Sequence, residues 1–254
     1  MLTERIDFQG PHGKLSGKLD APSGTPRAYG VFAHCFTCSK DVLAATRVSQ
    51  GLAELGVAML RFDFAGLGNS AGDFADTNFS SNVDDLVAAS DFLREKFAAP
   101  SLLVGHSLGG TAVLAAAHRI PEAKAVVTIA SPSDPHYVVN KLFAEHLDTI
   151  AKLGEARVRL AGRNFSIRQH FVDDAGQHQL HHKIATLGRP LLVMHAPQDD
   201  TVDMANASRI FELAQHPKSF VSLEGIDHLV TGREDAAYVT GLIAAWSGRY
   251  IAAA

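Results

Sequence analysis

The sequence predicts an α/β fold, with a mostly parallel central sheet and helices on both of its faces. Short apolar runs that fit buried strands alternate with longer runs of helical spacing. One strand-to-helix junction carries a Gly-x-Ser-x-Gly pentapeptide. The chain has 254 residues, of which 46% are hydrophobic, so it can bury a sizeable core. We expect residues 1–254 to form a single domain.

The first half of the chain predicts a hairpin followed by strand–helix units. Residues 4–20 alternate around a Gly-Pro-His-Gly turn, which is typical of an antiparallel hairpin at a sheet edge. Asp41 is the candidate cap of the first helix, and Ser81 or Asn82 is the predicted start of the second. The further predicted strands are 29–33, 57–62, 101–104 and 125–130, and the further helices begin near 41, 81 and 111.

The pattern changes in the second half and then resumes. Residues 134–187 contain no apolar strand run and carry several helical patterns, so we expect a short helical cap inserted between two strands and folded over the functional site. Beyond this segment, the predicted strands are 190–195 and 219–223, and the predicted helices are 204–215 and 234–251.

The pentapeptide Gly105-His106-Ser107-Leu108-Gly109 predicts a nucleophile on a sharp turn. A strand precedes it and an Ala-rich helix follows, and in that context a serine hydroxyl projects from the edge of the sheet. The two glycines are expected for space, because a side chain at either would collide across so tight a turn. The alternative is that Ser107 only caps the following helix.

Acyl transfer by a serine needs a base and an acid, which follow the serine along the chain in this kind of sheet. Asp199 follows the strand that ends at His195, and it is the predicted acid. Asp200 and Asp203 are the neighbouring alternatives, better explained as a turn residue and a helix cap. His228 follows the last strand and is the predicted base.

Backbone N–H groups are needed to bind the oxyanion that forms during acyl transfer. We expect one from Leu108, the residue after the nucleophile, and one from the loop that begins His34-Cys35-Phe36. Phe36 is the predicted second donor, and Cys35 is the alternative.

Ser107, Asp199 and His228, in this order on this strand pattern, resemble an α/β hydrolase over essentially the whole chain. Four segments more specifically resemble the hydrolase half of bacterial proteins in which an α/β hydrolase is fused to an OsmC-like peroxide-reducing domain. The resemblance implies an α/β-hydrolase fold and a functional link to an OsmC-like protein. It does not imply peroxide reduction by this chain, which ends at Ala254 as a stand-alone relative or as part of a longer protein. The four segments are 34–41, 61–70, 78–86 and 216–220.

These residues predict a serine hydrolase that cleaves a small or medium acyl ester, thioester or amide through an acyl-enzyme, without cofactor or metal. Two alternatives stay open, perhydrolase or peroxidase chemistry on the same three residues and a binding module without activity. Within the expected cap, Phe143, Leu147, Phe165 and Phe171 either line the substrate pocket or form the cap's own core.

The net charge and the N-terminal sequence limit the partners and the cellular compartment that we expect for this protein. A net charge of −4 without a basic block argues against nucleic acid and membrane surfaces as partners, whereas a small-molecule substrate and a homodimer are compatible with it. The N-terminus does not resemble a signal peptide, so we expect a cytoplasmic protein.

Two further clusters carry weaker signals. Cys35 and Cys38 have redox or metal-clip spacing but do not form a secreted disulfide framework, and we expect them to shape the oxyanion loop. His178, His181 and His182 have helical spacing that a metal could bridge, although a solvated helix surface explains them as well.

Overall fold

The computed structural model describes residues 1–160 and 162–251, and it confirms the predicted fold class. An eight-stranded sheet forms the centre, and a two-stranded hairpin lies apart from it. The strands are β1 (Leu2–Gly10), β2 (Gly13–Ala21), β3 (Ala28–Ala33), β4 (Val57–Phe62), β5 (Leu102–His106), β6 (Ala125–Ile129), β7 (Glu155–Leu160), β8 (Arg163–Arg168), β9 (Leu191–His195) and β10 (Lys218–Ser222). The helices are α1 (Leu43–Glu54), α2 (Phe79–Lys96), α3 (Leu108–Ala116), α4 (His136–Leu142), α5 (Leu147–Leu153), α6 (Gln169–Gln177), α7 (His181–Ala185), α8 (Met204–Leu213) and α9 (Arg233–Ile251).

The central sheet has the order β1-β2-β4-β3-β5-β6-β9-β10. The predicted hairpin β1–β2 lies at one edge and pairs antiparallel with β4, whereas the other six strands are parallel to one another. The register aligns Ala33 with Gly105 and His106 with Ile129. The carboxyl ends of the central strands therefore meet at one edge, and the loops that follow them share one surface.

The parallel strands are apolar at nearly every position because both faces of the sheet are covered. In β5, Leu103 packs with the face covered by α2, α3 and α8, whereas Leu102 and Val104 pack with the face covered by α1 and α9. Successive side chains of a strand point to opposite faces, so a continuous apolar run supplies both cores at once.

Two predicted helix starts are wrong, each for a local reason. Helix α2 begins at Phe79 rather than at Ser81 or Asn82, because Asn78 and Ser81 form a reciprocal capping box with contacts of 2.8 Å and 3.0 Å. Asp41 does not cap α1, which begins at Leu43 after Val42. The Asp41 carboxylate instead accepts hydrogen bonds from buried and half-buried cations.

Residues 134–187, here called the insertion, lie between β6 and β9. The sequence predicts several helices here, and the described residues form four, together with the antiparallel hairpin β7–β8, which was not predicted. The signal was present, because Ala156, Val158 and Leu160 are buried and alternate with exposed charged residues. The alternation was hidden by the charges, since the segment has no continuous apolar run.

The turn between β5 and α3 requires both of its glycines for space. A Cβ at Gly105 would lie 2.3 Å from the carbonyl oxygen of Gly109, and a Cβ at Gly109 would lie 2.2 Å from the carbonyl oxygen of Ala33. Both obstacles are backbone atoms, which cannot move aside as a flexible side chain can. Helix α3 consequently starts in direct contact with the end of β3.

We predict that Gly109→Ala lowers the free energy of unfolding by about 1–3 kcal/mol, because the added methyl group forces α3 away from β3. The matched control is Gly241→Ala in α9, where a Cβ meets no atom within 4 Å. That control raises the free energy of unfolding by about 0.5–1 kcal/mol, as alanine does in an exposed helix. Urea unfolding followed by circular dichroism measures both changes, and equal effects would contradict the packing explanation.

Candidate active site

Ser107 lies on the strained turn that the pentapeptide predicts. Its backbone has φ 54° and ψ −127°, a conformation that costs a non-glycine residue about 1–3 kcal/mol. Its side chain makes no cap hydrogen bond to α3, so helix capping does not explain this serine. The residue is 8% exposed and follows β5 at the carboxyl edge of the sheet.

The structure brings Ser107, His228 and Asp199 together in one hydrogen-bonded series. The Oγ of Ser107 lies 3.2 Å from Nε2 of His228, and Nδ1 of His228 lies 2.8 Å from Oδ2 of Asp199. These three residues come from the loops after β5, β9 and β10, which the parallel register gathers at one edge. Such a series can move a proton from the hydroxyl to the imidazole while the carboxylate fixes the ring.

Asp199 is held as an anion in a buried position. Its side chain has no exposed area, and Oδ1 accepts hydrogen bonds of 2.9 Å from the backbone N–H groups of Thr201 and Val202. Burial raises the pKa of the carboxyl group, but the hydrogen bond from His228 and the two N–H donors outweigh it. The pKa of Asp199 is therefore lowered from its ordinary value.

The two neighbouring aspartates have the local roles that the sequence offered as alternatives. Asp200 accepts a hydrogen bond of 3.0 Å from the hydroxyl of Thr201, and Asp203 caps α8 by accepting one of 2.7 Å from the N–H of Ala205. Asp199 is thus the aspartate of this loop that contacts His228.

Two buried histidines support the site from behind. His106 donates from Nε2 to the carbonyl oxygen of His228 at 2.7 Å, and His195 donates from Nε2 to that of Val202 at 2.8 Å. Burial and the neighbouring His228 lower the pKa of His106 to about 3, and burial also lowers the pKa of His195. Both rings stay neutral near pH 7 and hold the loops that carry His228 and Asp199.

The two predicted oxyanion donors lie side by side. Phe36 and Leu108 line one small cavity of about 10 Å³ beside the start of α3. Among the loop, turn and cap hydrogen bonds of residues 1–160 and 162–251, none is donated by either backbone N–H. Their role in binding an oxyanion stays a prediction.

Cys35 and Cys38 form a disulfide bond in the loop that carries Phe36. The bond closes a four-residue turn in which the N–H of Cys38 also donates to the carbonyl oxygen of Cys35 at 3.2 Å, in line with the predicted role of the two cysteines in shaping this loop. Thr37, inside this turn, has φ 58°, which is unusual for a β-branched residue. An arginine of the insertion, Arg163, donates to the carbonyl oxygen of Thr37.

A buried ion pair anchors the far end of the same loop. Lys40 is 4% exposed at its side chain and its Nζ contacts Oδ2 of Asp63 at 2.6 Å, while its backbone N–H contacts Oδ1 at 2.6 Å. The buried guanidinium of Arg61 joins Asp20 at 2.7 Å and the carbonyl oxygen of Lys40 at 2.7 Å. The loop after β3 is thereby fixed to β2 and to the loop after β4.

The four aromatic and aliphatic residues predicted for the pocket pack at the contact between the insertion and the loop after β3. Phe143 and Phe171 are 0% and 3% exposed and pack against Phe36, with ring centroids 5.9 Å and 5.4 Å apart. Leu147 and Phe165 are half-buried against the same core. Phe143 and Phe171 thus attach the insertion to the loop after β3, and a role of the four residues in a substrate pocket stays a prediction.

An open cleft of about 450 Å³ lies between the loop after β3 and the segment that follows His228, and its lining does not include Ser107, Asp199 or His228 themselves. Leu43 and Leu229 line it and are 45% and 48% exposed, and Arg163 reaches it from the insertion. The sequence did not predict these residues, because an exposed leucine at a helix start or in a loop gives no signal without a tertiary structure. The remaining lining residues are Cys35, Thr37, Cys38, Ser39, Asp41, Val42, His106 and Thr231.

Two histidines of the insertion, His178 and His181, contact other protein side chains. Nε2 of His178 lies 2.8 Å from the hydroxyl of Ser80, and His181 accepts a hydrogen bond of 3.0 Å from Arg209. Across the part of the chain that the structure describes, no three His, Cys, Asp or Glu side chains form a cluster suited to a metal ion. None of the described helices has the length and apolar character needed to cross a bilayer.

A family model described as serine aminopeptidase, S33, matches residues 24–188. Among curated proteins, the mitochondrial palmitoyl-protein thioesterase ABHD10 of Mus musculus is 28% identical over 195 residues, which is 74% of this chain and 64% of that protein. The Homo sapiens counterpart is 27% identical over 62% of this chain and 52% of its own length. The chain thus spans less than two thirds of these relatives.

Solved structures give a second comparison. The crystal structure of the esterase domain from a Rhodothermus marinus protein is 43% identical, with a TM-score of 0.80 over 99% of this chain and 100% of that chain. Est1E from Butyrivibrio proteoclasticus, bound to ferulic acid, is 21% identical, with a TM-score of 0.81 over 97% of this chain and 99% of that chain.

The ion pair under the loop gives a prediction about stability. We expect Lys40→Met to lower the free energy of unfolding by about 3 kcal/mol, because it leaves the Asp63 carboxylate buried without its cation. The matched control is Lys18→Met, which breaks a half-exposed pair with Asp41 and costs less than about 1 kcal/mol. Guanidinium unfolding of both variants measures the difference, and similar losses would contradict an anchoring role for Lys40.

Proposed function

The chain belongs to the serine aminopeptidase S33 family of α/β hydrolases, and we propose that it is a serine hydrolase acting through Ser107, His228 and Asp199. The observation that carries this proposal is the continuous contact from the Ser107 hydroxyl to the His228 ring and on to the Asp199 carboxylate, at 3.2 Å and 2.8 Å. The buried Asp199 carboxylate contacts one side of the His228 ring, and Ser107, on its strained turn, contacts the other. This arrangement suits nucleophilic catalysis.

In the first half of the reaction, the Oγ of Ser107 attacks a carbonyl carbon while Nε2 of His228 takes the hydroxyl proton. The ionised Asp199 stabilises the imidazolium that results and holds the ring in place. His228 then gives the proton to the leaving alcohol or thiol. The product is an acyl group esterified to Ser107.

The negative charge that develops on the carbonyl oxygen is bound by the N–H groups of Phe36 and Leu108. Each such donor contributes on the order of 3 kcal/mol to the transition state in enzymes that use this chemistry. In the second half of the reaction, His228 activates a water molecule that attacks the acyl group, and the same two donors bind the second oxyanion. The acid is then released and Ser107 regains its proton.

We propose esters of small or medium acyl groups as the substrate class, with thioesters as close relatives. The 43% identity to an esterase domain supports the ester, and the similarity to a palmitoyl-protein thioesterase supports the thioester. The cleft of about 450 Å³ is lined by His106 and Leu229, the sequence neighbours of Ser107 and His228, and its exposed leucines, Leu43 and Leu229, suit an apolar group. Both bonds present a carbonyl carbon to Ser107, so one mechanism serves both.

The biological setting that we propose for this activity rests on the sequence, through the N-terminus, the net charge and the family resemblance. We propose that the enzyme acts in the cytoplasm, alone or as a homodimer, and is functionally linked to an OsmC-like peroxide-reducing protein. Four segments, including 34–41 and 61–70, carry that resemblance. No cofactor enters the proposed reaction.

Hydrolysis of p-nitrophenyl esters of graded acyl length tests the proposal. We expect Ser107→Ala to lower kcat by on the order of 10⁴-fold or more, because the nucleophile is removed. Asp199→Asn lowers kcat by about 10³–10⁴-fold, because the amide can no longer hold the required tautomer of His228. Activity should be highest for acyl chains short enough to fit the cleft.

The control is Asp200→Asn, which changes the same charge one residue away on an exposed side chain and should leave kcat within about twofold. A comparable loss in Asp200→Asn and Asp199→Asn would contradict the assignment of the acid. Full activity of Ser107→Ala would contradict the proposed function itself.

A further inference from the structure

We propose that the Cys35–Cys38 disulfide is a thiol–disulfide exchange site that controls the oxyanion loop. In the oxidised form the bond fixes the Phe36 N–H for oxyanion binding, and in the reduced form the loop relaxes and the activity falls. The effect on activity rests on the proposed function, whereas the exchange itself depends only on the two cysteines.

The disulfide bond encloses Phe36, whose backbone N–H is the proposed oxyanion donor. Cys35 and Cys38 are bridged with their Cα atoms 5.4 Å apart, so Phe36 and Thr37 lie inside a four-residue ring. The N–H of Cys38 contacts the carbonyl oxygen of Cys35 at 3.2 Å, which is a long and weak closing interaction for the turn. The covalent bridge is therefore the principal constraint on the peptide that presents the Phe36 N–H.

The backbone inside the ring is strained. Thr37 has φ 58°, and a left-handed conformation costs a residue with a side chain about 1–2 kcal/mol. Besides the bridge, the hydrogen bond from Arg163 to the carbonyl oxygen of Thr37 opposes relaxation. Opening the bridge removes the stronger of these two restraints, and a return of Thr37 to negative φ rotates the peptide next to Phe36.

The neighbouring contacts limit how far the loop can move. The Phe36 ring stays packed against Phe143 and Phe171, and the Lys40–Asp63 pair anchors the end of the loop. Reduction is therefore expected to displace one oxyanion donor without unfolding the domain. Complete loss of such a donor lowers kcat by about 10²–10³-fold, so a displaced donor should lower it by about tenfold.

The bridge can be reached from solvent. Both cysteines line the open cleft of about 450 Å³, where Cys38 is half-buried and Cys35 is 4% exposed. Arg163 lines the same cleft, and a nearby cation favours the thiolate that exchange requires. Attack is thus directed to Sγ of Cys38, with Sγ of Cys35 as the leaving group.

The exchange is balanced with a dithiol as the reductant. One thiolate of the dithiol attacks Sγ of Cys38, which forms a mixed disulfide and releases the Cys35 thiolate. The second thiol of the reductant, as its thiolate, then attacks the sulfur of the dithiol within the mixed disulfide and releases the Cys38 thiolate. Two electrons pass from the dithiol to the bridge, and the reductant leaves as a cyclic disulfide.

The test uses the whole chain equilibrated in buffers of reduced and oxidised dithiothreitol. Free thiols are counted by alkylation and intact mass, and kcat for p-nitrophenyl acetate is measured after anaerobic removal of the reductant. We expect two alkylated thiols to appear in the folded chain and kcat to fall about tenfold in parallel, with recovery on reoxidation. Circular dichroism checks that the chain stays folded.

The double variant Cys35→Ser, Cys38→Ser provides the matched control. Its kcat should equal that of the reduced wild type at every ratio of reduced to oxidised dithiothreitol. If the disulfide does not control activity, its kcat will instead equal that of the oxidised wild type. Ser107→Ala should show the same thiol titration as wild type, which separates exchange from catalysis.

Thiols that resist the reductant until the chain unfolds would overturn the inference, and so would a constant kcat while both thiols are alkylated. If wild type instead hydrolyses the ester no faster than Ser107→Ala, the proposed function fails, and the control of activity fails with it. In that case the thiol titration alone reports whether exchange occurs.

Discussion

The contact between the start of α3 and the end of β3 is the constraint on which the site depends. A Cβ at Gly109 would lie 2.2 Å from the carbonyl oxygen of Ala33, so only glycine allows the helix to begin this close to the strand. The contact brings the loop after β3 beside Leu108, and the strained backbone of Ser107 follows from the same sharp turn. One packing requirement therefore positions Ser107 and the two residues predicted to supply the oxyanion donors, Phe36 and Leu108.

Asp199 and His106 are both buried near this turn, and their neighbouring groups decide that the first is charged and the second neutral. Asp199 is buried but keeps a lowered pKa because it accepts two backbone N–H groups and the His228 ring. His106 is equally buried but faces a carbonyl oxygen and another histidine, so its pKa falls to about 3 and it stays neutral. The site thus contains one stable anion beside His228, with uncharged rings behind it.

Local patterns in the sequence predicted most of the fold and the residues of the site. The apolar runs of the parallel strands are unambiguous because both faces of the sheet are covered, and Ser107, Asp199 and His228 follow strand ends that the register aligns. Predictions failed where a tertiary contact or a weaker local signal decided the outcome. Asp41 resembles a helix cap but pairs with Arg61, and the hairpin β7–β8 alternates charged and apolar residues without an apolar run.

The cleft lined by Leu43, His106 and Leu229 could not be predicted from local sequence patterns. Phe143 and Phe171 are two of the residues predicted for the substrate pocket, and in the structure their rings pack against Phe36. Leu43 and Leu229 instead remain exposed, because they lie in separate parts of the chain that meet only in the folded domain. The spacing of the two cysteines did not show whether they would pair, since pairing depends on the turn they close.

The central claim is that Ser107 is a nucleophile activated by His228, and covalent labelling tests it most directly. A p-nitrophenyl phosphonate should add one phosphonyl group per chain, seen by intact mass and located on Ser107 by peptide mapping. Heat-unfolded protein and Ser107→Ala should remain unlabelled, because reactivity depends on the folded arrangement and on that hydroxyl. An unlabelled native chain, or equal labelling of Ser107→Ala, would contradict the account.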